Sequence, residues 1–215
     1  MFVDLRELGR FNESYRMRKL RHEEIPRFSQ TESQNQQRHP IVVVVDNVRS
    51  IHNVGSFFRT SDGAWIEKII LTGISGTPEN RALHKTALGA QDTIPWEYVP
   101  DPKDAIQNLK ADGYCVMALE LTDTPTLHRD ISIQQFPLAL VVGNEITGVS
   151  DEVLMLSDGA LEIPQYGTKQ SLNVSVAFGI AIFDLVRQYR DLMQWDLIAD
   201  AFPRSTQSSV EASHE

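Results

Sequence analysis

Four polar side chains stand at the entrance of the most apolar helical stretch in the chain: Lys169, Gln170, Ser171 and Asn173. From 172 to 186 the sequence is apolar on almost every side, and a helix of that kind must be buried or must face a partner as well as its own core. Serine and asparagine at a helix start commonly cap free backbone N–H groups. Capping accounts for one of the four residues but not for the polar loop 164–171 that precedes the helix. We therefore expect a binding site at this loop.

A second polar loop, residues 46–53, is expected between a strand and a helix. Asn53 is well placed to cap that helix, and Gly55 would let it pack closely on a neighbour. Arg59 lies in the second turn, between aromatic and apolar residues. A half-buried arginine in such surroundings needs an anionic partner, either a carboxylate of the protein or a phosphate of a ligand.

A third loop, residues 143–149, imitates a phosphate-binding loop in its glycine spacing. Val149, however, occupies the position where such a loop needs lysine, and Glu145 would repel phosphates, so we exclude nucleoside triphosphate binding. Because Gly-x-Gly-x-x-Gly follows none of the expected strands, a nicotinamide site of the usual kind is not expected either. Gly143, at the end of a strand, would allow a flat ligand to approach the backbone closely.

The elements that must position these loops alternate between strands and helices. The β-branched run Ile41–Val45 predicts a strand covered on both faces, as in a parallel sheet. Further strands are predicted at Lys68–Thr72, Ile94–Val99, Tyr114–Leu119, Leu138–Val142 and Ala160–Ile163. Helices are predicted at Val54–Ala64, Arg81–Leu88, Pro102–Ala111, Ser150–Leu156 and from Ser171 onward. This order indicates an α/β domain with a mainly parallel sheet and helices on both faces, in which ligands bind beyond the carboxyl ends of the strands, where the three loops lie.

Composition narrows the class of protein further. The chain has 215 residues, a formal net charge of −9 and a pI near 5.1, which argues against broad, non-specific nucleic-acid affinity. The single cysteine, Cys115, is interpreted as a core residue; it excludes an internal disulfide framework and a cysteine zinc site and fits a reducing, cytoplasmic location. His52, His84 and His128 lack metal-like spacing, so we expect no metal. No uncharged apolar run is long enough for a membrane span.

The ends of the chain differ from its middle. Residues 1–40 carry eight Lys/Arg against six Asp/Glu and are expected to form a basic arm, helical over 1–24, and a linker over 29–39. The basic part of the arm, Arg16–Arg21, is either a solvated helix face or a segment that contacts phosphates. The folded domain is expected over 41–200, and residues 201–215 are predicted to be a disordered tail.

The three loops carry motifs that resemble those of a known family. The motifs are Asn53-x-Gly55-x-x-x-Arg59-Thr60, then Val142-Gly143-Asn144-Glu145-x-x-Gly148-Val149, then Ile163-Pro164-x-x-Gly167-x-x-x-Ser171-Leu172-Asn173-Val174-Ser175-Val176-Ala177. In this order they resemble the signature motifs of the SpoU (TrmH-like) class of knotted RNA methyltransferases in the SPOUT superfamily. The resemblance covers roughly residues 40–190.

That resemblance implies an enzyme that transfers a methyl group from S-adenosylmethionine to a ribose 2′-hydroxyl of tRNA or rRNA. It also implies a deep trefoil knot over about 138–190, one of the rare exceptions to unknotted topology, and a homodimer in which Arg59 approaches the other subunit's cofactor. The residues that it assigns to cofactor binding are Leu119, Gly143, Asn144, Ile163, Ser171 and Leu172. Those that it assigns to catalysis are Arg59, Asn53, Glu145, Ser171 and Asn173.

RNA contacts are expected from local basic patches, because the chain lacks the strongly basic extensions of many family members. The candidate RNA-binding residues are Arg16, Arg18, Lys19, Arg21 and Arg49. A different class of function also stays open: a non-catalytic knotted module that binds RNA or S-adenosylmethionine without turnover, which the acidic charge favours.

Overall fold

The computed structural model describes residues 18–25 and 37–195. Predictions that fall on residues 1–17, 26–36 and 196–215 lie outside the described residues. They include Arg16, most of the arm and linker, and the tail.

A parallel sheet with helices on both faces organises residues 37–195. The strands are β1 His39–Asp46, β2 Ile66–Thr72, β3 Trp96–Val99, β4 Cys115–Leu119, β5 Thr126–Leu127, β6 Leu138–Val142 and β7 Gly159–Glu162. The α-helices are α1 Ile51–Ala64, α2 His84–Ala87, α3 Pro102–Ala111, α4 Asp151–Leu156 and α5 Val174–Leu192, with short 3-10 segments at His22–Glu24, Ala90–Asp92 and Ile133–Gln135. The strand order is β3-β2-β1-β6-β4-β7-β5, and every pairing is parallel. The predicted α/β class and parallel sheet are thus confirmed.

The centre of the sheet is covered on both sides. Val42 and Val44 face one apolar cluster with α3 and α4, whereas Val43 and Val45 face the other with α1 and α5. Side chains 41–45 and 138–142 are fully buried, as a continuous β-branched or apolar run predicts for a strand enclosed on both faces. The two central strands, β1 and β6, therefore hold the loops that follow them on a rigid base.

Strand β1 begins two residues before the predicted Ile41. His39 opens β1 with its side chain buried, and its N–H donates to the Trp65 carbonyl at 3.0 Å. Arg38 stacks its guanidinium over the Trp65 ring at 3.9 Å. The polar composition of 29–39 did not predict this earlier start, because Arg38 and His39 contact backbone carbonyls and an aromatic ring rather than an apolar core.

Two helix starts differ from the predictions because of their caps. α1 begins at Ile51 instead of Val54, since the Ser50 hydroxyl accepts from the Asn53 N–H at 3.3 Å; the prediction that Asn53 is the cap was wrong. α5 begins at Val174 instead of Ser171, since the Asn173 side chain accepts from Ser175 N–H at 2.9 Å. Ser171 and Leu172 consequently belong to the loop.

The predicted helix 1–24 is wrong over its described part. Residues 18–21 are not helical, and residues 22–24 form a single 3-10 turn. Pro26 follows in the sequence, and a proline disfavours the helical conformation of the residue before it. The two-residue strand β5 was not predicted, because so short a segment has no periodicity to read.

One face of α5 packs on the domain and another is exposed. Phe178, Ile182 and Leu185 are fully buried, and the Phe178 ring meets Phe57 of α1 edge-on with centroids 5.1 Å apart. Three other apolar side chains, all in the first ten residues of α5, are exposed: Val176 51%, Ile180 41% and Phe183 50%. We call these three residues the outer face of α5. Their spacing of four and three residues places them on one side of the helix.

Candidate functional site

Four stretches of the chain near the carboxyl ends of the strands enclose a cavity of about 320 Å³. Its walls come from residues 119–121 after β4, 143–148 after β6, 161–165 at the end of β7, and 170–177 at the start of α5. The switch in strand order between β1 and β6 lies beside it, which is where doubly wound sheets bind ligands. Among the residues predicted from the sequence, those that line the cavity are Leu119, Gly143, Asn144, Glu145, Ile163, Ser171, Leu172 and Asn173.

The loop after β6 is folded tightly on itself. Asn144 and Gly148 exchange two backbone hydrogen bonds of 2.9 Å each. A Cβ atom at Gly143 would collide with the backbone of Gly148 and Val149. The glycine at the strand end is therefore required by the loop's own close approach, in addition to leaving the backbone open to the cavity.

Buried polar groups join this loop to the one after β1. Asp46 is fully buried; its carboxylate accepts from the Asn47 side chain at 2.8 Å and from the Ser150 N–H at 2.8 Å. The Asn144 side chain donates to the Asn47 carbonyl at 2.7 Å. Because buried polar groups left without partners are costly, these bonds hold the two loops in one arrangement. Asp46 and Asn47 were not singled out from the sequence, although both follow a central strand directly.

Glu145 caps the N-terminus of α1 from across the cavity entrance. Its carboxylate accepts from the N–H groups of Arg49 and Ser50, each at 3.0 Å, and from the Asn53 side chain at 2.7 Å. Partial burial raises the pKa of this carboxyl, but hydrogen bonds from its own N–H, from Asn53, and from the N–H groups of Ser50 and Arg49 outweigh burial and hold the pKa below its ordinary value. Glu145 is thus an anion whose charge is stabilised by a helix N-terminus.

A chain of side-chain hydrogen bonds connects the three motifs. Asn53 donates to Glu145, and its side-chain oxygen accepts from the Asn173 side chain at 3.4 Å. The Asn173 oxygen accepts in turn from the Ser175 hydroxyl at 2.6 Å. One residue from each motif therefore meets beside the cavity, although the three motifs lie far apart in the sequence.

Arg59 does not join this group within the subunit. It is exposed on α1, on the side away from the buried Phe57 and Phe58, and it is not among the residues that line the cavity. The expectation of a half-sunk guanidinium was wrong, because at 100° per residue position 59 falls on the outer side of α1 with His52 and Gly63. In the part of the chain that the structure describes, its side chain takes part in none of the ion pairs or hydrogen bonds.

The basic residues predicted to contact RNA fall in two places. Arg49 is exposed at the rim of the cavity beside Glu145 and Ile146. Arg18 forms a two-point ion pair with Glu24, at 2.8 and 2.9 Å, and this hydrogen bonding lowers the pKa of Glu24 to about 2. Lys19 and Arg21 are exposed, and Arg16 lies outside the described residues.

Two other predicted features lie away from the cavity. Cys115, at the start of β4, is partly buried, and that burial raises the pKa of its thiol. Within residues 18–25 and 37–195, histidine, cysteine and acidic side chains do not come together in a group of three that could hold a metal ion. None of the helices in those residues combines the length and the hydropathy that crossing a membrane requires.

The cavity's lining fits S-adenosylmethionine. Its volume lies within the range of small-molecule sites. Leu119, Leu161 and Ile163 form an apolar wall, while Ser171 and Asn173 place polar groups at the entrance. Glu120, which the sequence reading missed although it directly follows β4, adds a carboxylate to this wall.

Comparison with known proteins identifies relatives over most of the domain. A sequence model of the SpoU rRNA Methylase family matches residues 40–183. The tRNA (guanosine(18)-2′-O)-methyltransferase of Thermus thermophilus is 34% identical over 149 residues, which are 69% of this chain and 75% of the relative.

Two solved structures resemble the fold described above. The TrmH/SpoU tRNA modifying enzyme of Aquifex aeolicus superposes with a TM-score of 0.69 at 29% identity, over 77% of this chain and 83% of that one. An rRNA methyltransferase from Sinorhizobium meliloti, solved with bound AdoMet, superposes with a TM-score of 0.65 at 31% identity, over 70% of this chain and 57% of that one.

Proposed function

The chain belongs to the SpoU rRNA methylase family, as its three motifs predicted, and from that premise we propose that it transfers the methyl group of S-adenosylmethionine to a ribose 2′-hydroxyl of tRNA or rRNA. The observation that carries this proposal is the chain of hydrogen bonds Glu145–Asn53–Asn173, which brings one residue of each motif to the mouth of a single cavity. The reaction class follows from the family, and the cavity supplies the place for it.

Bound S-adenosylmethionine supplies an electrophilic methyl group on a sulfonium. The protein must align a ribose hydroxyl opposite the sulfur–methyl bond and help the hydroxyl lose its proton. Alignment of this kind accounts for much of the barrier reduction in such displacements, on the order of several kcal/mol. Ser171 and Asn173, at the mouth of the cavity, are the groups that we assign to positioning the ribose, with Asn53 supporting Asn173.

Arg59 is assigned to the phosphate beside the target ribose. A guanidinium stays protonated in proteins and cannot readily accept a proton, so anchoring the phosphate and stabilising the developing oxyanion suit it better than general-base catalysis. Its exposure leaves it available to a group outside its own subunit.

We propose that the outer face of α5 forms a homodimer in which Arg59 enters the partner's site. Val176, Ile180 and Phe183 are apolar and largely exposed, and a Cβ atom at Gly63 of α1 would lie 3.5 Å from Phe183. A helix apolar beyond its core-facing side has a surface suited to a second copy. Because Arg59 lies on the same outer side of α1 as Gly63, an interface there would carry Arg59 toward the other subunit.

The proposal extends to the knot, the RNA contacts and the location of the protein. Family membership supports a trefoil knot over about 138–190, with α5 passing through the preceding segment. Arg49, Lys19 and Arg21, which are exposed, suit RNA contacts better than Arg18, whose charge is paired with Glu24. The RNA substrate and the single thiol support a cytoplasmic location.

Transfer of a labelled methyl group separates this function from a module that only binds. The full chain is incubated with methyl-labelled S-adenosylmethionine and with tRNA and rRNA separately, and the RNA is then hydrolysed in alkali. A 2′-O-methyl group protects the adjacent linkage, so the label should appear in alkali-resistant dinucleotides. Cofactor binding without transfer to either RNA would favour the non-catalytic module, and label in mononucleotides would indicate methylation of a base instead.

A further inference from the structure

Carboxylates dominate the charge of the cavity. Within the described residues its lining includes three acidic side chains and no basic one: Glu120, Glu145 and Glu162. Carboxylates that face a partly enclosed space of low dielectric act strongly on a ligand's charge. The ligand's charge must therefore influence how well it binds.

The structure around Glu120 compensates its charge less than it compensates that of Glu145, and it also fixes the Glu120 carboxylate in place. Glu145 is bonded to the N-terminus of α1. Glu120 accepts only two N–H groups, from Leu121 at 2.9 Å and from Val149 at 3.0 Å. An ionised carboxylate has about four acceptor positions, so two remain for a ligand.

The position of the Glu120 carboxylate requires a glycine at position 148. Gly148 has φ of 70°, in the region that favours glycine, and a Cβ atom there would collide with the Glu120 carboxylate. The loop after β6 therefore depends on a glycine where the carboxylate of the loop after β4 approaches it. This places the carboxylate at a fixed position in the cavity wall rather than on a freely moving surface chain.

We propose that Glu120 makes the cavity selective for the cationic methyl donor over its uncharged-sulfur product, S-adenosylhomocysteine. This inference rests on the proposed function, since it presumes that the cavity holds S-adenosylmethionine. The donor carries a sulfonium that becomes a neutral thioether when the methyl group leaves. A fixed negative charge stabilises the sulfonium and not the thioether, so the transfer itself weakens binding and favours release of the product.

A unit charge about 12 Å away, at an effective dielectric constant of about 20, changes affinity by roughly tenfold. Calorimetry of the wild-type chain with three ligands measures this directly: S-adenosylmethionine, S-adenosylhomocysteine, and sinefungin, in which a protonated amine replaces the methyl sulfonium. The wild type should bind both cationic ligands roughly tenfold more tightly than S-adenosylhomocysteine.

The variant Glu120→Gln keeps the shape of the side chain and removes its charge. It should lose roughly tenfold in affinity for the two cationic ligands and less than about threefold for S-adenosylhomocysteine. The matched control is Glu97→Gln, on strand β3, which removes the same charge from an exposed side chain paired with Lys68. This control should leave all three affinities unchanged.

Each other outcome has a distinct meaning. Equal affinities of the wild type for all three ligands would refute charge selection without any variant. If Glu120→Gln lowers the affinity for all three ligands equally, Glu120 only supports the structure of the two loops, and the proposal is overturned. Failure of the wild type to bind any of the three would instead overturn the proposed function, because the cavity would not be a site for this cofactor.

Discussion

Glu145 shows how one carboxylate can serve a helix and a site at once. The family resemblance assigned it to catalysis, and the structure shows that it lines the cavity and also holds the N-terminus of α1 through Arg49 and Ser50. That second role could not be predicted, because the contact joins residues almost a hundred positions apart. The polar character of the loops could be predicted from their side-chain types. Which of Ser50, Asn53 and Glu145 caps α1 depended on tertiary contacts and could not.

Replacing Glu145 with glutamine should lower the free energy of unfolding by about 1 kcal/mol at neutral pH, as the loss of a capping acceptor does. The pKa of Glu145 in the folded state is below its ordinary value of 4.5. Its contribution is therefore present above pH 4.5 and is lost as the pH falls through the lowered folded-state pKa. Urea unfolding of both proteins at several pH values should show the difference disappearing in acid. A difference that stays constant across pH would mean that the charge plays no part.

Arg59→Ala should reduce methyl transfer by at least about 100-fold, because it removes a charged donor from the developing oxyanion. Affinity for S-adenosylmethionine should change by less than about threefold, since Arg59 does not line the cavity of its own subunit. Turnover assays and calorimetry measure the two quantities. Arg59→Lys keeps the charge but not the planar two-point geometry, and should recover only part of the rate. Unchanged turnover of Arg59→Ala would remove this residue from the mechanism.

At the scale of elements, close packing between α1 and α2 fixes the direction of α1. Gly55 lies where a Cβ atom would collide with the Thr86 hydroxyl and approach the Leu83 carbonyl to 2.7 Å. The sequence reading attributed close packing to Gly55, but it could not name the neighbour. The predicted helix Arg81–Leu88 shrinks to His84–Ala87: residues 81–83 form turns, and Leu88 and Gly89 both adopt positive φ, which ends the helix.

Gly55→Ala should destabilise the protein by about 1–3 kcal/mol, since overpacking against backbone cannot be relieved by a rotamer change. Ser56→Ala, one residue further along the same helix, is the control. Its hydroxyl donates to the His52 carbonyl inside the helix, so its removal should be neutral or slightly stabilising. Chemical denaturation of both variants tests the contrast. If Gly55→Ala is as stable as Ser56→Ala, the two helices are free to move apart.

For the elements as a whole, hydrophobic pattern was sufficient to find the central strands and the order of the helices. Pro102–Ala111 and Leu138–Val142 have the predicted bounds, because a proline start and an uninterrupted apolar run are strong local signals. Short segments such as β5 are set by pairing with β7 rather than by their own residues. Glu120 was not predicted for a similar reason, since its position depends on a hydrogen bond from Val149 in another loop.

At the scale of the whole molecule, the apolar outer face of α5 is the main feature that a single subunit leaves unexplained. Phe183→Glu should convert the proposed dimer into a monomer, because it places a charge in an apolar interface. Light scattering after size-exclusion chromatography measures the mass. Met155→Glu, on the exposed side of α4, introduces the same charge elsewhere and should leave the mass unchanged.

The same Phe183 variant should also lose methyl transfer while it still binds S-adenosylmethionine, because the cavity lies within one subunit and Arg59 would act on the other. Full transfer by a Phe183→Glu monomer would contradict an active site shared between subunits. A Phe183→Glu protein that remains dimeric would place the interface on another surface.

The position of β1 in the sheet has a consequence for synthesis. Among the strands of the described residues β1 is made first, yet one of its two neighbours is β6, whose pairing joins Ile41 to Leu138. At translation speeds of roughly 5–20 residues per second, the valine-rich edge of β1 stays uncovered for roughly 5–20 s after it is made. A ribosome-associated chaperone that shields extended apolar segments would have Ile41–Val45 as a target during this interval.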